Sequence, residues 1–416
     1  VRSNKGERSV NPQEFRQQAL EFIASCRAAE TGYYVICPSG QITLGASCYA
    51  AMTMHYLGAL HEISAEEKAN WAQAIRKFQN PQTGLFEGPE IQDARNSLSS
   101  DAFEYASLHL TSLVLPALDV LESRPDLSIA WAKQFLGKER LREWLSQRDW
   151  RRAWHEGNNL LFLGQFLIHL RDQEKIAKAQ TALDAYFEWL DLQMDPQTGL
   201  WGTNGFCDAY EAVYGAYHQL LVYYYCERPL PYAARTIDTV LRLQHPDGTF
   251  TRRGGGGACE DVDAVDMIVN CYRRTGHRPR AVRFALADCL DAILQNRMPD
   301  GGFVYGRNQP LIQSGLQRTY CPPNTSNLFA TWFRVHTIAL ICGIVRDHPL
   351  ASIPWQFNRV CSMGWHNPEL VRANSFGRPL DLLPRSGHQM LRRLRVKIGD
   401  AKTHSFLRHF FAPKRS

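Results

Sequence analysis

Four copies of one turn constrain what this chain can fold into: Pro81-Gln-Thr-Gly84-Leu-Phe86, Pro196-Gln-Thr-Gly199-Leu-Trp201, Pro246-Asp-Gly248-Thr-Phe250 and Pro299-Asp-Gly301-Gly-Phe303. A glutamine precedes each one (Gln79, Gln193, Gln244, Gln295) and ends an apolar segment of helical period. Proline cannot continue that helix, glycine permits the sharp reversal, and the aromatic ring can plug the seam between neighbouring units. The prolines stand 115, 50 and 53 residues apart, so the first gap holds two periods, and a degenerate turn is expected near Arg148 to Asn159.

Three of the segments that follow open alike, with Asp101-Ala-Phe-Glu104, Asp208-Ala-Tyr-Glu211 and Asp263-Ala-Val-Asp266, each leading into an apolar run; Thr325-Ser326-Asn327 takes that place in the last unit. An Asp followed three residues later by an acid is an N-cap signature, because the first side chain accepts an orphan backbone N–H and both charges suit the positive helix end. These acids are read first as helix caps.

Helical candidates run over Asn11 to Ala29, Leu44–Leu60, Ala65–Phe78, Asp101–Glu122, Lys138–Leu145, Asn159–Leu170, Lys175–Leu192, Asp208–Cys226, Tyr232–Leu243, Asp263–Arg274, Pro279–Gln295 and Asn327–Val345. Strand signals are nearly absent, so the class is all-α. The helices alternate between a more polar member ending at the turn and one that is apolar on every side, which must be buried between layers. This pattern predicts an (α/α) toroid of about five to six helical hairpins around a central cavity, over residues 1–384 in one domain. The 416 residues, 44% hydrophobic and 21% charged, can supply its core. No apolar run approaches the ~20 residues a bilayer span needs.

The third unit departs from its siblings, with four consecutive glycines (Gly254 to Gly257) and then Cys259-Glu260-Asp261-Val262-Asp263-Ala264-Val265-Asp266. Capping uses Asp263 and Asp266, which leaves Glu260 and Asp261 as the surplus. Crowded carboxylates cannot all ionise cheaply, so one is expected to keep its proton near neutral pH and serve as a general acid; the positive helix end opposes this. Clustered acids can alternatively hold Mg²⁺ beside a diphosphate, with Arg252, Arg253, Arg273 or Arg274 as counter-charges. Tyr210, Tyr214, Tyr217, Tyr272, Trp332 and Phe333 fall on candidate inner helices, where ring faces could meet a substrate or simply pack. Trp154-His155-Glu156 falls in the degenerate unit.

The recurring turns and the Asp261-Val262-Asp263 element resemble the terpenoid cyclase and protein prenyltransferase superfamily, whose members fold as α/α toroids. The resemblance implies a class II terpenoid-cyclase-like enzyme that folds an isoprenoid in an apolar cavity. Asp263 would be its general acid, tuned by Asp261, Asp266 and Glu260, and protonation chemistry would need no cofactor. Ala264 stands where that family has a further Asp. The prenyltransferase β subunit is closer in size and implies metal ligands among Cys259, Asp261, Glu260 and His336; Cys259 precedes Asp261, the reverse of that family's order, so zinc is not expected, whereas a diphosphate substrate would bring Mg²⁺. His336, Arg252 and Arg253 are then substrate contacts.

Two further readings stay open. A toroid cavity rich in aromatics, His and acids also suits sugars, as in glycan lyases, hydrolases and epimerases, and a non-catalytic lipid carrier would need the acids only as caps. Eleven scattered cysteines without a C-x-x-C pair read as free thiols in a reducing compartment, hence a cytoplasmic protein. Residues 385–416 carry nine Lys/Arg against one Asp, while the whole chain is only +6, so the basicity sits in the tail. Its interleaved Leu and Phe suit the inner face of an anionic membrane, and equally a solvated terminal helix or a disordered extension. The body has no basic excess, so nucleic acid is not an expected partner.

Overall fold

The computed structural model describes residues 10–369. The tail from Arg385, with the membrane reading attached to it, lies outside them, as does the expected domain boundary at residue 384.

Twelve helices alternate along the chain between an outer and an inner layer. The outer ones are α1 (Pro12–Ser25), α3 (Ala65–Arg76), α5 (Lys138–Ser146), α7 (Lys178–Gln193), α9 (Ala233–Arg242) and α11 (Pro279–Leu294). The inner ones are α2 (Leu44–Tyr56), α4 (Ser100–Val120), α6 (Ala153–Asp172), α8 (Ala209–Tyr225), α10 (Ala258–Thr275) and α12 (Leu328–Cys342). Each inner helix packs on the next, and α12 packs back on α2, so the inner ring closes. The expected toroid is present with six hairpins. Among the described residues no helix is long and apolar enough to cross a membrane.

The repeated turn builds the seams. Its glycines Gly84, Gly199, Gly248 and Gly301 all take positive φ (+74°, +72°, +98° and +88°), and a Cβ on any of them would collide with the next outer segment at Ser128, Thr236, Asp288 or Gln18 respectively. The contact of Gly301 with Gln18 joins the last unit to α1 and closes the outer layer. The preceding glutamine stitches the same seam: Gln79 Nε2 donates to the carbonyls of Gly84 (2.9 Å) and Leu127 (2.7 Å), and Gln244 Nε2 to those of Gly248 (2.9 Å) and Ala285 (2.7 Å). The aromatic residues Phe86, Trp201, Phe250 and Phe303 are fully buried. A Gly248→Ala variant combines left-handed strain with a backbone collision and is expected to lose about 2 kcal/mol or more, read as a lower urea midpoint at unchanged slope.

Two helix starts differ from the sequence reading by five residues or more. Helix α6 begins at Ala153 rather than Asn159, after a degenerate turn at Trp150–Arg152. Helix α10 begins at Ala258 with Gly257 as its cap, so Asp263 and Asp266 lie inside the helix and cap nothing. Asp208 does cap α8, accepting from the N–H groups of Tyr210 and Glu211, whereas Ser99 caps α4 ahead of Asp101.

After α12 the chain turns back over the ring. Gln356 N donates to Tyr56 O (3.1 Å), Cys361 Sγ lies against Leu221 O (4.0 Å), Trp365 meets Tyr225 edge-on, and Pro368 O accepts from Arg273 (2.7 Å). Residues 353–369 therefore cover the end of the ring where the inner helices finish. The opposite end, where they begin, is the rim that carries the glycine run ahead of α10.

Candidate functional site

The six inner helices are parallel, so residues at helical spacing on each form a stripe down the axis. These stripes are Tyr49, Met52 and Tyr56 on α2; Tyr105 and His109 on α4; His155 and Phe162 on α6; Tyr210, Tyr214 and Tyr217 on α8; Cys259, Asp263 and Asp266 on α10; and Phe329, Phe333 and His336 on α12. Rings on neighbouring inner helices meet one another. Tyr105 stacks on His155 at 4.4 Å, Trp154 lies 4.8 Å from Tyr214, Tyr49 meets Phe329 at 5.5 Å, and Tyr56 lies 5.4 Å from His336. Across the axis, Tyr217 on α8 feels Tyr56 on α2, and Tyr105 on α4 feels Cys259 on α10.

At the rim, Glu260 retains some exposure and accepts a hydrogen bond from Tyr305 Oη at 2.7 Å. Arg252 lies over the Tyr210 ring (5.2 Å) and pairs with the cap Asp208 (2.5 Å). Arg253 is exposed in the glycine loop, and Tyr272 sits at the far end of α10, away from the rim. Asp263 and Asp266 lie one and two turns below Glu260, about 9 Å deeper at the lower one.

Asp261 does other work. Its Oδ1 accepts the N–H of Phe250 at 2.8 Å, and its Oδ2 is ion-paired with fully buried Arg334, which also donates to Tyr305 O at 2.8 Å. In two other units a threonine holds the turn aromatic instead: Thr111 Oγ1 accepts from Phe86 N and Thr331 Oγ1 from Phe303 N. Asp261 is thus the seam residue of its unit, with both oxygens occupied, and its expected catalytic or metal-binding role is corrected. The surplus acids are Asp263 and Asp266, reversing the sequence assignment. Among the described residues no group of three or more His, Cys, Asp or Glu is placed to hold a metal, so Cys259, Glu260, Asp261 and His336 are not assembled as a ligand set.

The axis below the rim is polar, buried and unpartnered. Asp263 Oδ2, both oxygens of Asp266, Tyr217 Oη and both ring nitrogens of His336 have no hydrogen-bond partner. Burial, reinforced by Glu260, Asp266 and Asp261, pushes the Asp263 carboxyl well above its usual range. Burial raises Asp266 to about 7 against the pull of Asn270 and Arg274, and raises Glu260 against its hydrogen bond from Tyr305. It also pulls His109 down to about 4 and His336 to about 3. At neutral pH the interior therefore offers a protonated Asp263, an Asp266 carboxyl near its midpoint, phenols and neutral imidazoles as donors and acceptors.

Sequence reasoning found Glu260, Asp263, Asp266, Tyr217 and His336, which lie along the inner helices, and also Tyr210 and Tyr214, whose hydroxyls instead donate to Leu243 O (3.1 Å) and Phe250 O (2.9 Å) at the seam beside α10. Trp332 and Phe333 line the wall beside them, with Trp332 Nε1 donating to Tyr56 Oη (3.2 Å). It missed Tyr49, Tyr105, His109, Tyr305 and Arg334; the spacing of Tyr49 to Tyr56 and of Tyr105 to His109 within their own inner helices was the available signal for the first three, and none existed for Arg334.

No protein-family model matches the chain, and no curated protein matches it in sequence. Similar solved structures include a protein from Actinoplanes (12% identity, 81% of this chain and 100% of that one, TM-score 0.46). A polysaccharide lyase is similar at 14% identity, over 82% and 99% of the two chains, with a TM-score of 0.45. A possible member of the GH105 family from Salmonella enterica is similar at 11% identity, over 82% and 96%, with a TM-score of 0.39. The last two are described as a polysaccharide lyase and a possible GH105 member, not as terpenoid cyclases or prenyltransferases, and the resemblance to that superfamily is corrected. The physical reason lies in the axis: a hydrocarbon would leave the orphan atoms of Tyr217, Asp263, Asp266 and His336 unsatisfied, each at a cost of about 1–3 kcal/mol.

Proposed function

We propose that this chain is a carbohydrate-active enzyme that takes a glycan through the rim and breaks a glycosidic bond by acid–base catalysis. The observation that carries this reading is the combination of stacked ring faces at the rim with unpartnered, uncharged donors and acceptors beneath it. Sugar rings present apolar C–H faces to aromatic side chains and hydroxyls to polar ones, so one ligand class satisfies both. Asp263 is the proton donor, since its carboxyl is held protonated. Glu260 is the base: it is raised less, reaches solvent, and has its anion stabilised by Tyr305 Oη. The proton passes from Asp263 to the glycosidic oxygen as the C–O bond breaks, and Glu260 takes a proton from the attacking water or from the sugar ring. Tyr105, His155, Trp154 and Tyr214 position the rings, and Tyr217 and His336 accept or donate to hydroxyls.

The test is incubation with a panel of oligosaccharides and detection of products by mass, which separates addition of water from elimination. Asp263→Asn and Glu260→Gln are each expected to lower kcat by about a hundredfold or more with unchanged circular dichroism. The rate should fall on the acid side as Glu260 takes a proton and on the alkaline side as Asp263 loses one. Full turnover in both variants, or no cleavage of any glycan, overturns the assignment.

A further inference from the structure

At the end of the ring opposite the rim, a cavity of about 310 Å³ opens between the last turns of α10 and α12 and the covering segment. Arg273 and Arg346 are its charged lining; His366 borders it as a neutral imidazole, pulled well below its usual range by burial and the neighbouring arginines, Trp355 and Phe357 give it aromatic walls, and no Asp or Glu among the described residues lines it. Arg273 is 7% exposed and His366 4%, and each keeps a buried nitrogen without a partner, Nε and Nδ1 respectively. Arg273 Nη1 donates to Pro368 O at 2.7 Å, which fixes the guanidinium against the covering segment. Burial, with Arg346 and Arg274 nearby, draws Arg273 down to about 10, so it remains charged at neutral pH. Asp347, next in sequence to Arg346, is paired with Arg283 at 2.5 Å, and Arg346 has no ion-pair partner among the described residues.

Helix ends alone do not account for this cluster. Cations suit a helix C-terminus, and Arg274 fills that role on α10 by donating to Asn270 O (3.0 Å) and lying over the Tyr224 ring (4.6 Å). Arg273 instead turns inward beside a second arginine, where like charges repel and no carboxylate among the described residues offsets the buried charge. An anion held between them removes both penalties.

We propose that this cavity binds a small organic phosphate, with the phosphate group between Arg273 and Arg346 and the organic part against Trp355 and Phe357. The planar guanidinium fork matches phosphate oxygens, His366 Nδ1 supplies a further polar contact, and the space exceeds a water's share of about 30 Å³ several-fold, leaving room beyond the ion itself. Phe357 stands between this cavity and the axis, meeting His366 at 4.8 Å and His336 at 6.3 Å, and the proposal does not depend on the glycan reading.

Calorimetric titration of the full chain with inorganic phosphate, phenyl phosphate and sulfate, at constant ionic strength, tests it. One saturable site is expected, with phenyl phosphate binding about tenfold tighter than inorganic phosphate. Arg346→Gln, on an exposed side chain that the fold does not need, should weaken phenyl phosphate about tenfold, and Arg273→Lys should also weaken it by removing the fork while keeping the charge. No saturable heat with either phosphate overturns the proposal, as does unchanged affinity in both variants. Equal affinity for all three probes marks a non-selective anion site and overturns the organic-phosphate assignment.

Discussion

An Arg334→Met variant is expected to lose about 3–5 kcal/mol of stability, a large part of what holds a domain folded. Arg334 and Asp261 are both fully buried and form an ion pair that ties α12 to α10. Taking away the cation leaves a carboxylate in the interior with one remaining partner, the N–H of Phe250. The cost is that of an uncompensated buried charge rather than of a lost contact, so it should be recovered by removing the charge. Asp261→Thr in the Arg334→Met background places at that position the side chain that Thr111 and Thr331 already use to hold Phe86 and Phe303. The double variant is expected to regain most of the loss, and a double-mutant cycle in urea isolates the coupling. If the single variant falls by less than about 1 kcal/mol, the pair does not bear on the seam as described. If the double variant stays as unstable as the single one, Asp261 has a role beyond holding the turn.

The seams were legible in the sequence and the axis only partly so, for a physical reason. A turn needs particular residues, and Pro, Gly and an aromatic ring at fixed spacing reveal Gly248 and Phe250 without any structure. The six-hairpin toroid follows from their period once the degenerate unit before α6 is allowed for. A helix start capped by glycine leaves no side-chain signal, so α10 was begun at Asp263, and the capping and surplus acids were exchanged. Asp208 shows that the Asp-Ala-x-acid pattern can cap, while Asp263 shows that it need not. Arg334 was invisible because one arginine in an apolar run says nothing about a partner 73 residues away. The covering segment 353–369 has no period, only individual contacts such as Gln356 with Tyr56. The terpenoid reading failed at the level of chemistry: the turns belong to the toroid, whereas ligand class depends on which polar atoms the axis leaves unpartnered.

A large pH-dependent effect should come from Asp266→Asn. The Asp266 carboxyl is fully buried, neither oxygen is hydrogen-bonded, and it titrates near 7 in the folded protein against an ordinary value of 3.8. Between these values the folded chain holds a proton that the unfolded chain has released, so stability falls as pH rises through the window. The contribution is intact below about pH 4 and has been lost by the time pH passes 7. A carboxyl raised from 3.8 to about 7 corresponds to about 4 kcal/mol, and an amide that cannot ionise is free of this loss. Asp266→Asn should therefore gain up to about 4 kcal/mol over the natural chain at pH 8 and almost nothing at pH 4, measured as urea midpoints at the two pH values. Equal midpoints at pH 8 would mean that the carboxyl is solvated through the axis. A gain in stability accompanied by loss of glycan cleavage would show why such a costly group is kept: the axis holds buried acids at the expense of stability because a substrate, and not the fold, supplies their partners.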